Sequence, residues 1–182
     1  MHSDWQAVLA LLDDLEMQAE GLHLAERAAE VEALSVAGYA EVAMVGRLHA
    51  SLGREVHAVL ADDLELRGRL ARVGSDWLLV EQGHAAWFAR LPALRTVTGL
   101  DDGAVPEEAR PLSARLSLGS VLRRVAEERS GCALHLLGGR VVEGRPVRVG
   151  ADFVELRSGE PADTAVVPLA AVVVLRPAEQ PR

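Results

Sequence analysis

A ten-residue segment occurs twice in this chain, and it constrains the fold more than any other feature. Gly68-Arg69-Leu70-Ala71-Arg72-Val73-Gly74-Ser75-Asp76-Trp77 returns seventy-six residues later as Gly144-Arg145-Pro146-Val147-Arg148-Val149-Gly150-Ala151-Asp152-Phe153. Six of the first nine positions are identical, and the tenth stays aromatic. Each copy lies between alternating apolar runs, so each reads as the centre of a β-hairpin. The offset holds without a gap back to Val45 and Arg47, which fall opposite Val121 and Arg123. An internal duplication of a helix followed by short strands is the simplest reading.

The strand positions support it. Val56, Ala58 and Leu60 alternate, Asp62-Asp63 reads as a turn, and Leu64, Leu66 and Leu70 alternate again. Gly68 inside a strand signals a bend or bulge. Trp77–Val80 and the segment from Leu91 to Leu100 supply the remaining strands of the first copy. In the second, Ser113 is expected to cap a helix through Arg129, with Leu116, Val121, Leu122 and Val125 as its buried stripe. Strands are expected at Cys132–Leu137, Arg140–Val149, Phe153–Arg157 and Val166–Leu175. Pro146 stands where the first copy has Leu70, which suits only an edge or a bulge.

Ahead of the repeats, Trp5, Val8, Leu12, Leu15, Ala19 and Leu22 follow 3-4-3-4-3 spacing. That seam predicts a helical, coiled-coil-like arm, and Trp5, Val8, Leu12, Leu15 and Leu22 are candidates for self-association as a homodimer. Packing of the arm on its own repeats is the alternative. The expected organisation is an acidic helical arm at 1–36 and a first helix with its strands at 37–100. An acidic Pro/Gly linker follows at 101–112, then the second helix and strands at 113–176 and a tail at 177–182.

Charge narrows the function. The chain of 182 residues carries 27 acids against 19 basic residues, for a net charge of −8, and every basic residue is arginine. Without lysine there is no phosphate-loop lysine, Schiff base or Ser-Lys dyad. Residues 1–52 hold nine acids and two arginines, whereas 113–182 hold ten arginines and eight acids. An acidic arm before near-neutral repeats opposes broad non-specific nucleic-acid binding, which needs a basic field. The single cysteine, Cys132, excludes a disulfide framework and reads as a buried hydrophobe. The N-terminal residues lack the basic start of a signal peptide, and no apolar run approaches the roughly 20 residues of a membrane span. A cytoplasmic location with no membrane contact is expected.

The acidic helical start, Gly-Arg-x-x-Arg-Val-Gly-x-Asp-Trp-Leu-Leu-Val at 68–80, Arg-Val-Gly-Ala-Asp-Phe-Val-Glu-Leu at 148–156 and Val-Pro-Leu-Ala-Ala-Val at 167–172 resemble an uncharacterised actinobacterial protein family of about this length. Its members sometimes carry a label as Fis-type regulators, although this sequence holds no helix-turn-helix. The helix-plus-five-strand order also resembles Sm-like and SH3-like small barrels. There a strand glycine and a turn aspartate recur at the places of Gly68, Asp76, Gly144 and Asp152. The resemblance implies an α+β fold: a helical arm followed by two tandem Sm/SH3-like β-barrels, each preceded by a helix.

No motif supplies a nucleophile with its base, and the six histidines lack zinc-site spacing. No enzyme activity, metal or cofactor is therefore expected. Asp76 and Asp152 read first as turn residues that accept backbone N–H groups. Arg69, Arg72, Arg145 and Arg148 have Glu65, Asp76, Glu143 and Asp152 as candidate ion-pair partners. Alternatively they form two symmetric sites for phosphate or an acidic protein segment. The expectation is a non-enzymatic regulatory or interaction module that binds a protein partner. The alternatives are an RNA- or DNA-associated regulator using the repeated arginines, and a small-molecule sensor with a pocket between the barrels.

Overall fold

The structure, a computed structural model, describes residues 39–159 and 163–178. The arm at 1–36, with Trp5, Val8, Leu12, Leu15 and Leu22, lies outside the described residues. The chain divides into two compact units, Met1–Val42 and Ala43–Arg182. In the first, Tyr39 and Ala40 are helical and the Val42 N–H donates to the Tyr39 carbonyl. All elements named below belong to the second.

Ten strands follow one another: β1 (Glu55–Leu60), β2 (Glu65–Val73), β3 (Trp77–Gln82), β4 (Ala85–Arg90), β5 (Leu94–Thr98), β6 (Cys132–Leu136), β7 (Val141–Val149), β8 (Phe153–Ser158), β9 (Asp163–Pro168) and β10 (Val172–Pro177). Two α-helices accompany them, α1 (Met44–Ala50) before β1 and α2 (Leu118–Glu127) before β6. All ten strands belong to a single sheet in the order β5-β1-β2-β3-β4-β10-β6-β7-β8-β9, and every pairing is antiparallel. The expected α+β chain of two tandem barrels is therefore corrected to a mainly β fold with one continuous sheet.

The physical reason lies at the junction. Val174 pairs with Ala89 and Leu175 with Phe88, so β4 and β10 close against each other. Val172, Val173, Val174 and Leu175 are all at most 2% exposed. Such an unbroken apolar run needs cover on both faces, and the two cores give it, Val173 and Val174 joining one and Val172 and Leu175 the other.

Within each half the pairing keeps the offset of the sequence. Val56 faces Gly68 in β1–β2, and Cys132 faces Gly144 in β6–β7. A bulge falls between Leu70 and Arg72, and again between Pro146 and Arg148, so the proline occupies a bulged position in an inner strand. Both motif glycines are sterically required. A Cβ at Gly68 would strike the Glu81 carbonyl and one at Gly144 the Arg157 carbonyl, across the strand pair. A Cβ at Gly74 or Gly150 would enter the ring of Trp77 or Phe153. That contact is why the motif couples its second glycine to an aromatic three residues on.

The second helix starts later than expected. Ser117, not Ser113, caps it, its hydroxyl accepting from the Ser120 N–H at 3.3 Å. Residues 112–115 form a short 3-10 turn instead. Leu118, Leu122 and Val125 are buried, while Leu116 is 48% exposed.

Two cores interlock. The first gathers Leu48, Val56, Leu60, Leu66, Leu70 and Leu78, and takes in Val173 and Val174 from β10. The second gathers Leu118, Leu122, Leu134, Val154 and Leu156, and takes in Trp77, Leu79 and Phe88 from the first half. Burying a side chain of this size stabilises by about 1.5–3 kcal/mol, so the exchange commits each half to the other. At the positions of β5 that match Val173 and Val174 stand Arg95 and Thr96, both exposed.

Candidate functional site

The exchange leaves a groove on the surface between α2 and the β3–β4 hairpin. Its volume is about 650 Å³. Leu79, Phe88, Val121 and Val125 line it, and Arg72 and Arg124 stand at its rim. Trp77 anchors one wall. It is 4% exposed, its ring lies 5.2 Å from that of Phe88, and its indole N–H donates to the Leu116 carbonyl at 2.9 Å.

Asp76 fastens the same wall. One carboxylate oxygen accepts from the Leu118 N–H at 2.8 Å, and the other pairs with Arg90 at 2.7 Å. An acidic side chain at the first turn of α2 meets unpaired backbone N–H groups and the positive end of the helix dipole. The expected turn role of Asp76 is thus widened: it ties the two halves together. Asp152 is exposed, and its backbone carbonyl accepts from the Leu169 N–H at 2.7 Å.

The repeated arginines divide. Arg69 pairs with Glu81 rather than Glu65, which pairs instead with Arg67 and His57. Arg148 pairs with Glu155 at 2.7 Å rather than with Asp152. Arg145 faces Arg157 across β7–β8. Arg72 is exposed at the groove rim and makes no ion pair or hydrogen bond among the described residues. Arg124 is held by Glu127 at 3.6 Å and Glu128 at 2.8 Å. Of the six candidate residues, Arg72 alone lines the groove; Asp76 fastens the wall beside Trp77 without lining it, and the other four lie elsewhere.

Two of the described histidines, His49 and His135, sit in structural contacts. His49 is buried and donates from Nδ1 to the Val45 carbonyl at 2.9 Å. His135 stacks near Trp87, with ring centroids 5.9 Å apart, and Arg176 lies over the same indole at 5.5 Å. Burial, and then the neighbouring Arg176 charge, lowers the His135 pKa from the ordinary histidine value. Among the described residues, no group of three or more His, Cys, Asp or Glu is placed to hold a metal ion.

Sequence reasoning missed Leu79, Phe88, Val121 and Arg124 as site residues. A signal for one of them was present: Leu79 stands where the second copy has Glu155, so the two hairpins present unlike faces. Compared with known proteins, the chain matches no family model and no curated sequence.

Proposed function

We propose that this chain is a non-enzymatic interaction module, cytoplasmic and regulatory in role, that binds a protein partner through the groove between α2 and β3–β4. The carrying observation is an open apolar floor of Leu79, Phe88, Val121 and Val125 beside Arg72, a cation whose side chain has no partner among the described residues. Such a floor favours an apolar side chain of the partner, and Arg72 favours an acidic residue next to it. Leu116, 48% exposed at the edge, extends the apolar strip. No described helix is long and apolar enough to cross a membrane. The net charge of −8 weighs against nucleic acid as the main partner.

A photo-crosslinking residue at Val121, introduced in the cells of origin, tests this reading. The expected product is a discrete protein adduct that survives nuclease and is lost when Arg72→Glu is added. A product pattern identical to that from the same crosslinker at Arg95, on β5, would overturn it.

A further inference from the structure

A second concave surface, separate from the groove, opens where the end of α2 meets β7 and β8. Its volume is about 890 Å³, and its charged wall consists of Arg129, Arg145, Arg157 and Glu143, with Ser158 beside them. None of its lining residues belongs to the groove.

Arg145 and Arg157 are direct cross-strand partners. Like charges placed directly opposite one another on neighbouring strands destabilise the pair. The first half provides an internal reference. At the matching positions Arg69 faces Glu81, and the two form an ion pair. The second half keeps the arginine and replaces the acid by another arginine.

The third cation departs from the first half in the same direction. Gly53 adopts a φ of +85°, in the left-handed region where glycine is at ease. Seventy-six residues later the chain places Arg129, with a φ of +53°. Arg129 closes α2 there, its N–H donating to the Ala126 carbonyl and the Ser130 N–H to the Val125 carbonyl, so the second half sets a cation at a turn where the first half has glycine.

All three arginines are exposed, and none of their side chains makes a hydrogen bond or ion pair among the described residues. Glu143 is the one acid among the described residues on this wall, against three arginines.

We propose that this cavity binds a multiply charged phosphate-bearing small anion, held by Arg145, Arg157 and Arg129. Guanidinium forks match phosphate oxygens in geometry, and an anion seated between two facing arginines turns their repulsion into a shared attraction. The site is independent of the protein-binding groove, because it is built on β7, β8 and the far end of α2.

The probe is inorganic pyrophosphate, titrated into the full chain at low salt by calorimetry and by thermal melting. Saturable binding and a rise in Tm are expected, since a ligand of the folded state stabilises it. Arg157→Glu restores the charge pattern of Arg69 and Glu81. It should melt higher than the natural chain without the anion and bind pyrophosphate roughly tenfold more weakly or worse. Arg95→Glu, with the same charge change on β5, should bind as the natural chain does. A single-stranded oligonucleotide is titrated in parallel. Absence of pyrophosphate binding, binding that survives Arg157→Glu, equal loss in both variants, or binding of the oligonucleotide alone would each overturn the site.

Discussion

Asp76 and Arg90 form an ion pair of 2.7 Å across the end of the β3–β4 hairpin, while the other oxygen of that carboxylate holds the Leu118 N–H at the start of α2. One side chain thus fastens a hairpin of the first half to the helix of the second. Arg90 is only 13% exposed, so it depends on this partner. Asp76→Ala is expected to lower the unfolding free energy by about 2–4 kcal/mol, from the lost charged hydrogen bonds and the stranded guanidinium. Asp152→Ala removes a side chain without such bonds and is expected to stay within about 0.5 kcal/mol of the natural chain. Urea denaturation of the two variants checks the contrast, and equal losses would remove the tie.

The junction makes a second contrast. Phe88 reaches into the second core, whereas Val166, its counterpart on β9, is 62% exposed. Phe88→Ala is expected to cost about 2–4 kcal/mol and Val166→Ala less than about 0.5 kcal/mol. A mild Phe88→Ala measured by the same denaturation would mean that the halves do not depend on each other for their cores.

His135 gives the fold a pH dependence. Its folded pKa is lowered, first by burial and then by the Arg176 charge, against a smaller opposing pull from Glu143. The unfolded chain therefore takes up the proton first as pH falls. The stability linked to His135 is fully present above the unfolded value of about 6.5 and is lost as pH drops through the lower folded value. Unfolding free energies between pH 7.5 and 5 should decline, and His135→Gln should flatten that decline. An unchanged slope in the variant would assign the pH response to other groups.

Cys132 should be silent in the folded chain. It is 4% exposed, and burial pushes its thiol pKa up to about 12. At pH 8 the thiolate needed for reaction is scarce, so labelling by an aromatic disulfide reagent should follow the unfolding equilibrium. Labelling rates that rise with urea in step with unfolding are expected. Rapid labelling without urea would show that β6 opens on its own.

The repeat register was legible in the sequence because it is written locally. The paired glycines, the bulge at Pro146 and the Gly138-Gly139 turn, with φ values of +84° and +78°, each need particular residues at particular places. The joining of the halves was not legible. Ala85-Ala86-Trp87-Phe88-Ala89 shows no alternation, and the partner of an edge strand leaves no local mark. Ion pairs are hidden for a related reason: Glu65 is a candidate partner of Arg69 along the chain, whereas the hairpin register places Glu81 opposite it. Leu79 against Glu155, like Glu81 against Arg157, marks in the sequence that the two hairpins face different surroundings.

The pairing of β4 with β10 has a polarity. β10 occupies in its half the place that β5 occupies in the first, so the joint couples two unlike edges, head to tail. A coupling of that kind has no intrinsic stopping number, since each added half would expose the same pair of edges again. Here the terminal edges carry their own stops. Arg95 and Thr96 replace the buried valines on β5, and Pro168 on β9 has no N–H to give. The count of two is thus marked at the ends of the array, and adding a half would need changes to the outermost strands and to β8, where Glu155 stands in the place of Leu79.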